Sequence, residues 1–213
     1  MCEIAIFTFN PFQENTYVLF DETKECIIID PGCYTAPERQ QLQSFITERG
    51  LKPVRLINTH SHIDHILGNW FVAEEYNLKL EMHREEVAGL IAAPEYGKIY
   101  GIQMQPSPEA TVFLTEADTI TFGNTSLSIL LTPGHSIASL SFYCEAGNFV
   151  IGGDVLFKGS IGRTDLPNGD FDTLINSIKT KLFTLADDVQ VFPGHGDSTT
   201  IGEEKATNPF LKD

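Results

Sequence analysis

The chain has 213 residues, 42% of them hydrophobic and 10% aromatic, with fifteen Phe against one Trp, which is enough apolar material for a sizeable core. No stretch rich in Ser, Gly or Pro divides it, so a single domain over residues 1–213 is expected. Fourteen Lys and Arg against 29 Asp and Glu leave a formal charge of −15, and the basic residues form no run able to neutralise phosphates, which argues against nucleic acid or an anionic membrane as partner.

The opening MCEIAIFTFN has neither a basic leader nor a small-residue cleavage site, and no apolar run reaches transmembrane length, so a cytoplasmic location is expected. Cys2, Cys26, Cys33 and Cys144 are scattered without a CxxC pair, the pattern of reduced, packed thiols.

In chain order, Glu3 to Phe9 and Asn15 to Phe20 are rich in β-branched and aromatic residues around an Asn10-Pro11 turn, and predict a hairpin. Cys26 to Ile29 is a continuous apolar run stopped by Asp30-Pro31-Gly32, the signature of a buried strand. Helical spacing follows from Ala36 to Arg49, then a strand from Val54 to Ile57 and a helix from Ile66 to Tyr76. The residues from Leu80 to Asp118 show no assignable period. Beyond them Thr119 to Phe122, Leu127 to Leu131, Ser139 to Tyr143 and Phe149 to Ile151 read as strands. Phe171 to Leu185 reads as a helix, Val189 to Phe192 as a last strand, and Ile201 opens a closing helix. Strands and a helix followed by strands and a helix suggest an α/β (α+β) chain with two sheets and helices outside.

Between the strand ending at Ile57 and the next helix lies Thr59-His60-Ser61-His62-Ile63-Asp64-His65, with three imidazoles and a carboxylate in six residues. Similar groups recur at later strand ends: His135 after Pro133-Gly134, Asp154 after Gly152-Gly153, and His195 after Pro193-Gly194. If these strands run the same way, their loops converge. The seven candidates His60, His62, Asp64, His65, His135, Asp154 and His195 are too many for one four-coordinate ion and suit two divalent ions, about 3.5–4 Å apart when a carboxylate and a water or hydroxide bridge them. Imidazole and carboxylate without thiolate suit zinc first, with iron or manganese also compatible. Asp30 could cap its turn or orient a ligand histidine, His83 reads as an ordinary core or surface residue, and Arg163 reads as a local ion pair with Asp165 or as the contact for a substrate carboxylate.

The ordered set IIIDPG, THSHIDH, TPGHS, GGDVLF, GSIGRTDLPNGD and PGHG resembles the metallo-β-lactamase superfamily, and within it the short glyoxalase II (hydroxyacylglutathione hydrolase) type. The resemblance implies a sandwich of two mixed β-sheets flanked by helices (αββα). It implies His60, His62 and His135 on one metal, Asp64, His65 and His195 on the other, and Asp154 bridging. An Asp at 154 argues against the best-known di-zinc β-lactamases, which have a thiolate there. The sequence stops where longer glyoxalase II enzymes continue into a helical domain that holds glutathione, so no such separate domain is expected.

The expected function is hydrolysis of a small-molecule thioester, hydroxyacylglutathione or a similar acyl-thiol, by a metal-bridging hydroxide that Asp64 and Asp154 help to orient; two metals lower the pKa of water, which one zinc alone takes from 15.7 to about 7. A thiolate leaving group, with a conjugate acid near pKa ~8.5, departs without a strong general acid. A mononuclear iron persulfide dioxygenase, using His60, His135 and Asp154, and a lactone hydrolase remain as alternatives.

Overall fold

The computed structural model describes residues 2–212. Backbone contacts group them into two compact units: one runs to Leu114 and takes in Thr121–Thr125, the other comprises Thr115–Ile120 and the chain from Ser126 onward.

In the first unit β1 (Glu3–Phe9) and β2 (Glu14–Phe20) form the expected hairpin, with Glu3 opposite Phe20 and Phe9 opposite Glu14. β3 (Glu25–Ile29) pairs antiparallel with β2, and β4 (Lys52–Ile57) runs parallel to β3. The parallel step requires a crossover, supplied by α1 (Ala36–Glu48). Thr35 and Glu38 close a capping box at its start, and Leu42 and Ile46 are its buried residues.

The helix expected from Ile66 to Tyr76 is two helices, α2 (Ile63–Ile66) and α3 (Asn69–Tyr76). The Gly68 N–H between them donates to the Pro31 carbonyl at 2.7 Å, an attachment to the loop after β3 that a continuous helix would not make. The segment without a legible period contains β5 (Leu80–Met82), a 3-10 turn at Arg84–Glu86, α4 (Val87–Ile99) and β6 (Ala110–Phe113). The six strands lie in the order β1-β2-β3-β4-β5-β6, antiparallel at the first two pairings and parallel at the rest. Val18, Ile28, Leu42, Leu56, Ile66, Val72 and Leu80 pack together as the core between this sheet and its helices.

The second sheet contains β7 (Thr119–Phe122), β8 (Thr125–Leu131), β9 (Leu140–Cys144) and β10 (Phe149–Gly153). After it come a small hairpin of β11 (Leu156–Phe157) and β12 (Ser160–Ile161), then α5 (Phe171–Thr180), β13 (Gln190–Pro193), β14 (Thr199–Thr200) and α6 (Ile201–Thr207). The order is β14-β13-β10-β9-β8-β7. α5 stops at Thr180, short of the expected Leu185, and a 3-10 turn at Leu182–Thr184 carries Leu182 inward. Val150, Leu156, Leu174, Ile178, Leu182, Val191 and Ile201 form the core of this unit. Two mixed sheets flanked by helices place the chain in the α/β class expected from its sequence.

Ile178 is wholly buried on α5 among these residues. Ile178→Ala should cost about 2–5 kcal/mol of stability through lost burial and a residual cavity, read as a lower denaturant midpoint with an unchanged slope.

Candidate metal centre

Because β3 and β4 are parallel, their C-terminal ends open on the same edge, bringing Asp30 beside the loop that starts at Asn58. Asp30 adopts φ +49°, in the left-handed region that Asp tolerates better than bulkier residues. Its Oδ1 accepts from the Thr59 N–H at 2.7 Å and Asn58 Nδ2 at 3.3 Å; its Oδ2 accepts from Thr59 Oγ1 at 2.6 Å and lies 3.0 Å from His65 Nδ1. Of the two readings of Asp30, the one that orients a histidine is therefore realised. With Nδ1 engaged, Nε2 is the atom through which His65 would ligate. Thr59 Oγ1 is 2.9 Å from His60 Nδ1 and treats that ring the same way.

The four candidates of the first unit are brought together. The His60 ring centroid lies 4.7 Å from that of His62 and 4.2 Å from that of His65, and His65 Nε2 is 3.7 Å from Asp64 Oδ2. His60 and His65 are fully buried, whereas His62 and Asp64 are half-buried. Donor atoms of Asp30, His60 and His65 also lie within 4.8 Å of one another, but Asp30 is committed to its hydrogen bonds, so it acts as an orienting group.

Groups distant in sequence anchor the backbone of this loop. Asn10, in the β1–β2 turn, donates through Nδ2 to the carbonyls of Gly32 and Asp64, both at 3.0 Å, while its own N–H donates to Glu38 Oε1 at 2.7 Å. Asn58 Nδ2 donates to the His65 carbonyl at 3.1 Å, and Asn69 Nδ2 to Asn58 Oδ1 at 2.7 Å. Glu86 accepts from the Ser61 N–H and hydroxyl. Glu14 Oε1 is 4.0 Å from His65 Nδ1, and Oε2 accepts from Thr16 Oγ1 at 3.0 Å. Burial pushes the Glu14 carboxyl well above the usual carboxylate range; His65 opposes this and Asp30 and Asp64 reinforce it. Of the groups that hold this loop, sequence reading assigned a place at the site only to Asp30; Asn10 entered as a turn residue alone, since an isolated Asn or Glu has the default reading of a solvated surface residue.

In the second unit β8, β10 and β13 point the same way, β8 and β10 each being antiparallel to β9 and β13 parallel to β10. Their C-terminal ends deliver His135, Asp154 and His195. Asp154 Oδ2 lies 3.4 Å from His135 Nε2 and 3.6 Å from His195 Nε2, with His135 and Asp154 buried. Two donors bound to one tetrahedral ion at about 2.0–2.1 Å stand roughly 3.3–3.4 Å apart, so one carboxylate oxygen is near that spacing from two imidazoles.

Two glycines permit this approach. Gly134 has φ +126°, and a Cβ on it would meet the Leu174 N at 2.3 Å, so α5 closes directly onto the turn before His135. Ser177 Oγ on the same helix donates to the Pro133 carbonyl at 2.7 Å. A Cβ on Gly162 would meet the Asp154 carbonyl oxygen at 1.9 Å and His135 Cβ at 3.2 Å. The next residue, Arg163, offers its carbonyl to His135 Nδ1 at 2.8 Å. Its guanidinium forms an exposed bidentate pair with Asp165 at 2.7 and 2.8 Å, which holds the Asp165 carboxyl down at about 2. His83 caps the 3-10 turn by accepting from the Glu85 N–H at 3.3 Å, and burial raises the Cys33 thiol to about 12.

The profile of the Metallo-beta-lactamase superfamily matches residues 9–195, a span that contains all seven candidates. The chain belongs to the metallo-β-lactamase superfamily. It is 39% identical over 203 residues to a probable metallo-hydrolase of Bacillus subtilis, YqgX, covering 94% of this chain and 93% of that one. To the hydroxyacylglutathione hydrolase GloC of Haemophilus influenzae it is 36% identical over 213 residues, covering 98% and 97%. Among solved structures, the BLEG-1 B3 metallo-beta-lactamase superposes with a TM-score of 0.91 at 34% identity, covering 99% of this chain and 100% of that one. TTHA1623 in a di-iron-bound form gives 0.88 at 34% identity, covering 97% and 100%. As a member of the superfamily the chain has the metallo-β-lactamase fold and is a metal-dependent hydrolase. Among the described residues no helix is long and apolar enough to cross a membrane.

The donor chemistry fits divalent metal: imidazoles whose Nδ1 atoms face Asp30, Thr59 or a carbonyl, together with carboxylates and no thiolate. Asp30→Ala takes away the acceptor of the Thr59 N–H and the partner of His65 Nδ1, so metal affinity should fall about 10–100-fold, measured by chelator competition.

Proposed function

We propose that this single-domain protein is a di-metal hydrolase of glyoxalase II type, acting on a thioester of a hydroxyacyl-thiol kind. His60, His62 and His135 would hold one ion, Asp64, His65 and His195 the other, with Asp154 as the carboxylate they share. The observation that carries the reading is Asp154 Oδ2 standing 3.4 and 3.6 Å from two imidazole Nε2 atoms, as a shared carboxylate requires. The hydroxyacylglutathione hydrolase relative, matched nearly end to end, supports the substrate class. TTHA1623, in its di-iron-bound form, supports the count of two. We propose zinc as the resident metal, with iron or manganese as substitutes.

Two divalent ions would supply a nucleophile near neutral pH and a counter-charge for the carbonyl oxygen. The chain's own contribution is orientation. Asp64 and Asp154 accept hydrogen bonds from the attacking water and align it with the acyl carbon. The Asp30 carboxylate and the Arg163 carbonyl keep Nδ1 of His65 and His135 occupied, which fixes the direction of each Nε2 lone pair. The departing thiolate, of conjugate acid pKa ~8.5, leaves without a proton donor, and no side chain need be reserved for that role. The Arg163 guanidinium, at the exposed end of its loop, is the group we assign to a substrate carboxylate, in exchange for Asp165.

Protein purified without added metal should hold two ions per chain and release thiol from S-lactoylglutathione. Chelation should abolish release and lower the melting temperature, since each site filled at 100 times its Kd contributes about 2.7 kcal/mol. Asp154→Asn should drop the stoichiometry below two and cost at least ~100-fold in kcat, the upper end of what losing an outer hydrogen-bond partner alone does. Fully metallated protein that releases no thiol from a panel of thioesters would refute the proposal. Turnover of lactones alone would make it a lactonase, and oxygen uptake with glutathione persulfide by iron-loaded protein would make it a dioxygenase.

A further inference from the structure

Ser61 separates His60 from His62 and is itself buried. Its N–H donates to Glu86 Oε2 at 3.0 Å and its hydroxyl to the same oxygen at 2.6 Å. Glu86 is 2% exposed, at the end of the 3-10 turn that leads into α4. A Cβ on Gly89, three residues further on, would come within 2.2 Å of Ser61 Oγ, so the start of α4 lies hard against this serine. The turn is carried by β5, which pairs with β4, and the Asn58 N–H donates to the Glu81 carbonyl at 3.0 Å. Glu86 thus reaches the metal loop from the turn that follows the neighbouring strand.

The other anchors of the loop lie to either side. Asp30 holds Thr59 and His65, and Asn10 holds the Asp64 carbonyl. Between Thr59 and His65, the peptide joining His60 to Ser61 has Glu86 as its acceptor. Rotation of that peptide would swing His60 and His62 apart, because the two rings project from residues on either side of Ser61.

We propose that Glu86 is a positioning residue for the metal centre: by holding the Ser61 N–H it sets the spacing of His60 and His62, and with it the affinity for the ion those two share. The inference rests on reading His60 and His62 as ligands of one ion. Glu86 touches neither substrate nor metal, and its action passes through the Ser61 backbone.

The test uses the full chain, loaded with zinc or cobalt. Glu86→Ala should lower the affinity for one of two ions about 10–100-fold in chelator competition and leave the other close to its wild-type value. It should also shift the visible absorption of that cobalt site. Glu86→Gln, which keeps an acceptor oxygen, should restore both readouts. Ser61→Ala, which keeps the N–H, should lose less affinity than Glu86→Ala. A Glu86→Ala protein that folds, binds both ions with wild-type affinity and gives an unchanged cobalt spectrum would overturn the proposal. So would a melting temperature lowered in the metal-free form with affinity unaltered. If Glu86→Ala does not fold, Glu86→Gln and Ser61→Ala decide the question, and a Ser61→Ala loss equal to the loss of the whole site would count against the backbone route. Wild-type protein that holds one ion would refute the two-ion reading while leaving Glu86 to act on whichever ion His60 and His62 hold; wild-type protein that holds none would sink both.

Discussion

The Asp30 carboxyl group lies almost out of reach of water, and a buried carboxyl is tolerable only where its oxygens are taken up by donors. Here four groups meet it: the Thr59 N–H, Asn58 Nδ2, Thr59 Oγ1 and His65 Nδ1. Three belong to the loop after β4 and the fourth, His65, to the short helix α2 that follows it. The parallel pairing of β3 with β4 makes this possible, since it brings the end of one strand beside the end of the other. Satisfying one side chain therefore aligns a whole loop. It also fixes the orientation of the His65 ring directly and that of His60 through Thr59.

The second unit solves the same problem with backbone in place of a carboxylate. His135 is aimed by the Arg163 carbonyl, and that carbonyl arrives at the right place only because Gly162 passes against Asp154 and His135 with no side chain between. Glu204 supports the preceding hairpin by accepting from the Gly159 N–H at 2.9 Å and Asn208 Nδ2 at 2.7 Å, and Asn208 Nδ2 also reaches the Ser160 carbonyl at 3.0 Å. The hairpin that follows Asp154 is thus held from α6, whose Glu204 lies fifty residues beyond that aspartate. A methyl group at Gly162 would disturb two candidate ligands at once, through the carbonyl of one and the Cβ of the other.

The candidate donors stood out in the sequence because each signal is local. Three imidazoles within six residues stand out against any background, and His135, Asp154 and His195 each follow an apolar run that ends in glycine. The anchors were not legible. Glu86 is 25 residues from Ser61 and Asn10 is 54 from Asp64, so no window of ordinary length contains both partners. α4 was hidden for another reason: Gly89, Pro94 and Gly97 are poor helix formers, and the helix depends on burying Leu90, Ala93 and Gly97. The strands β11, β12 and β14 have two residues each, too few for alternation to register. In the reverse direction, Ile66 to Tyr76 carried a helical period that survived in the pattern although the Gly68 N–H is bonded elsewhere.

A segment that carries four candidate ligands in six residues has little internal means of holding its shape, because side chains given over to a metal would not brace the backbone that carries them. In this chain the bracing comes from four places: Asp30 at the end of β3, Asn10 in the β1–β2 turn, Asn58 at the end of β4 and Glu86 before α4. Each grips a different peptide of the loop, at Thr59, Ser61, Asp64 and His65. Loss of one leaves three, so the loop would distort locally. The consequence is that residues far from the candidate donors should tune how tightly metal is held, while the donors themselves decide whether it is held at all. Variation in the turn after β1 or in the segment after β5 would then alter metal occupancy and leave the type of reaction unchanged.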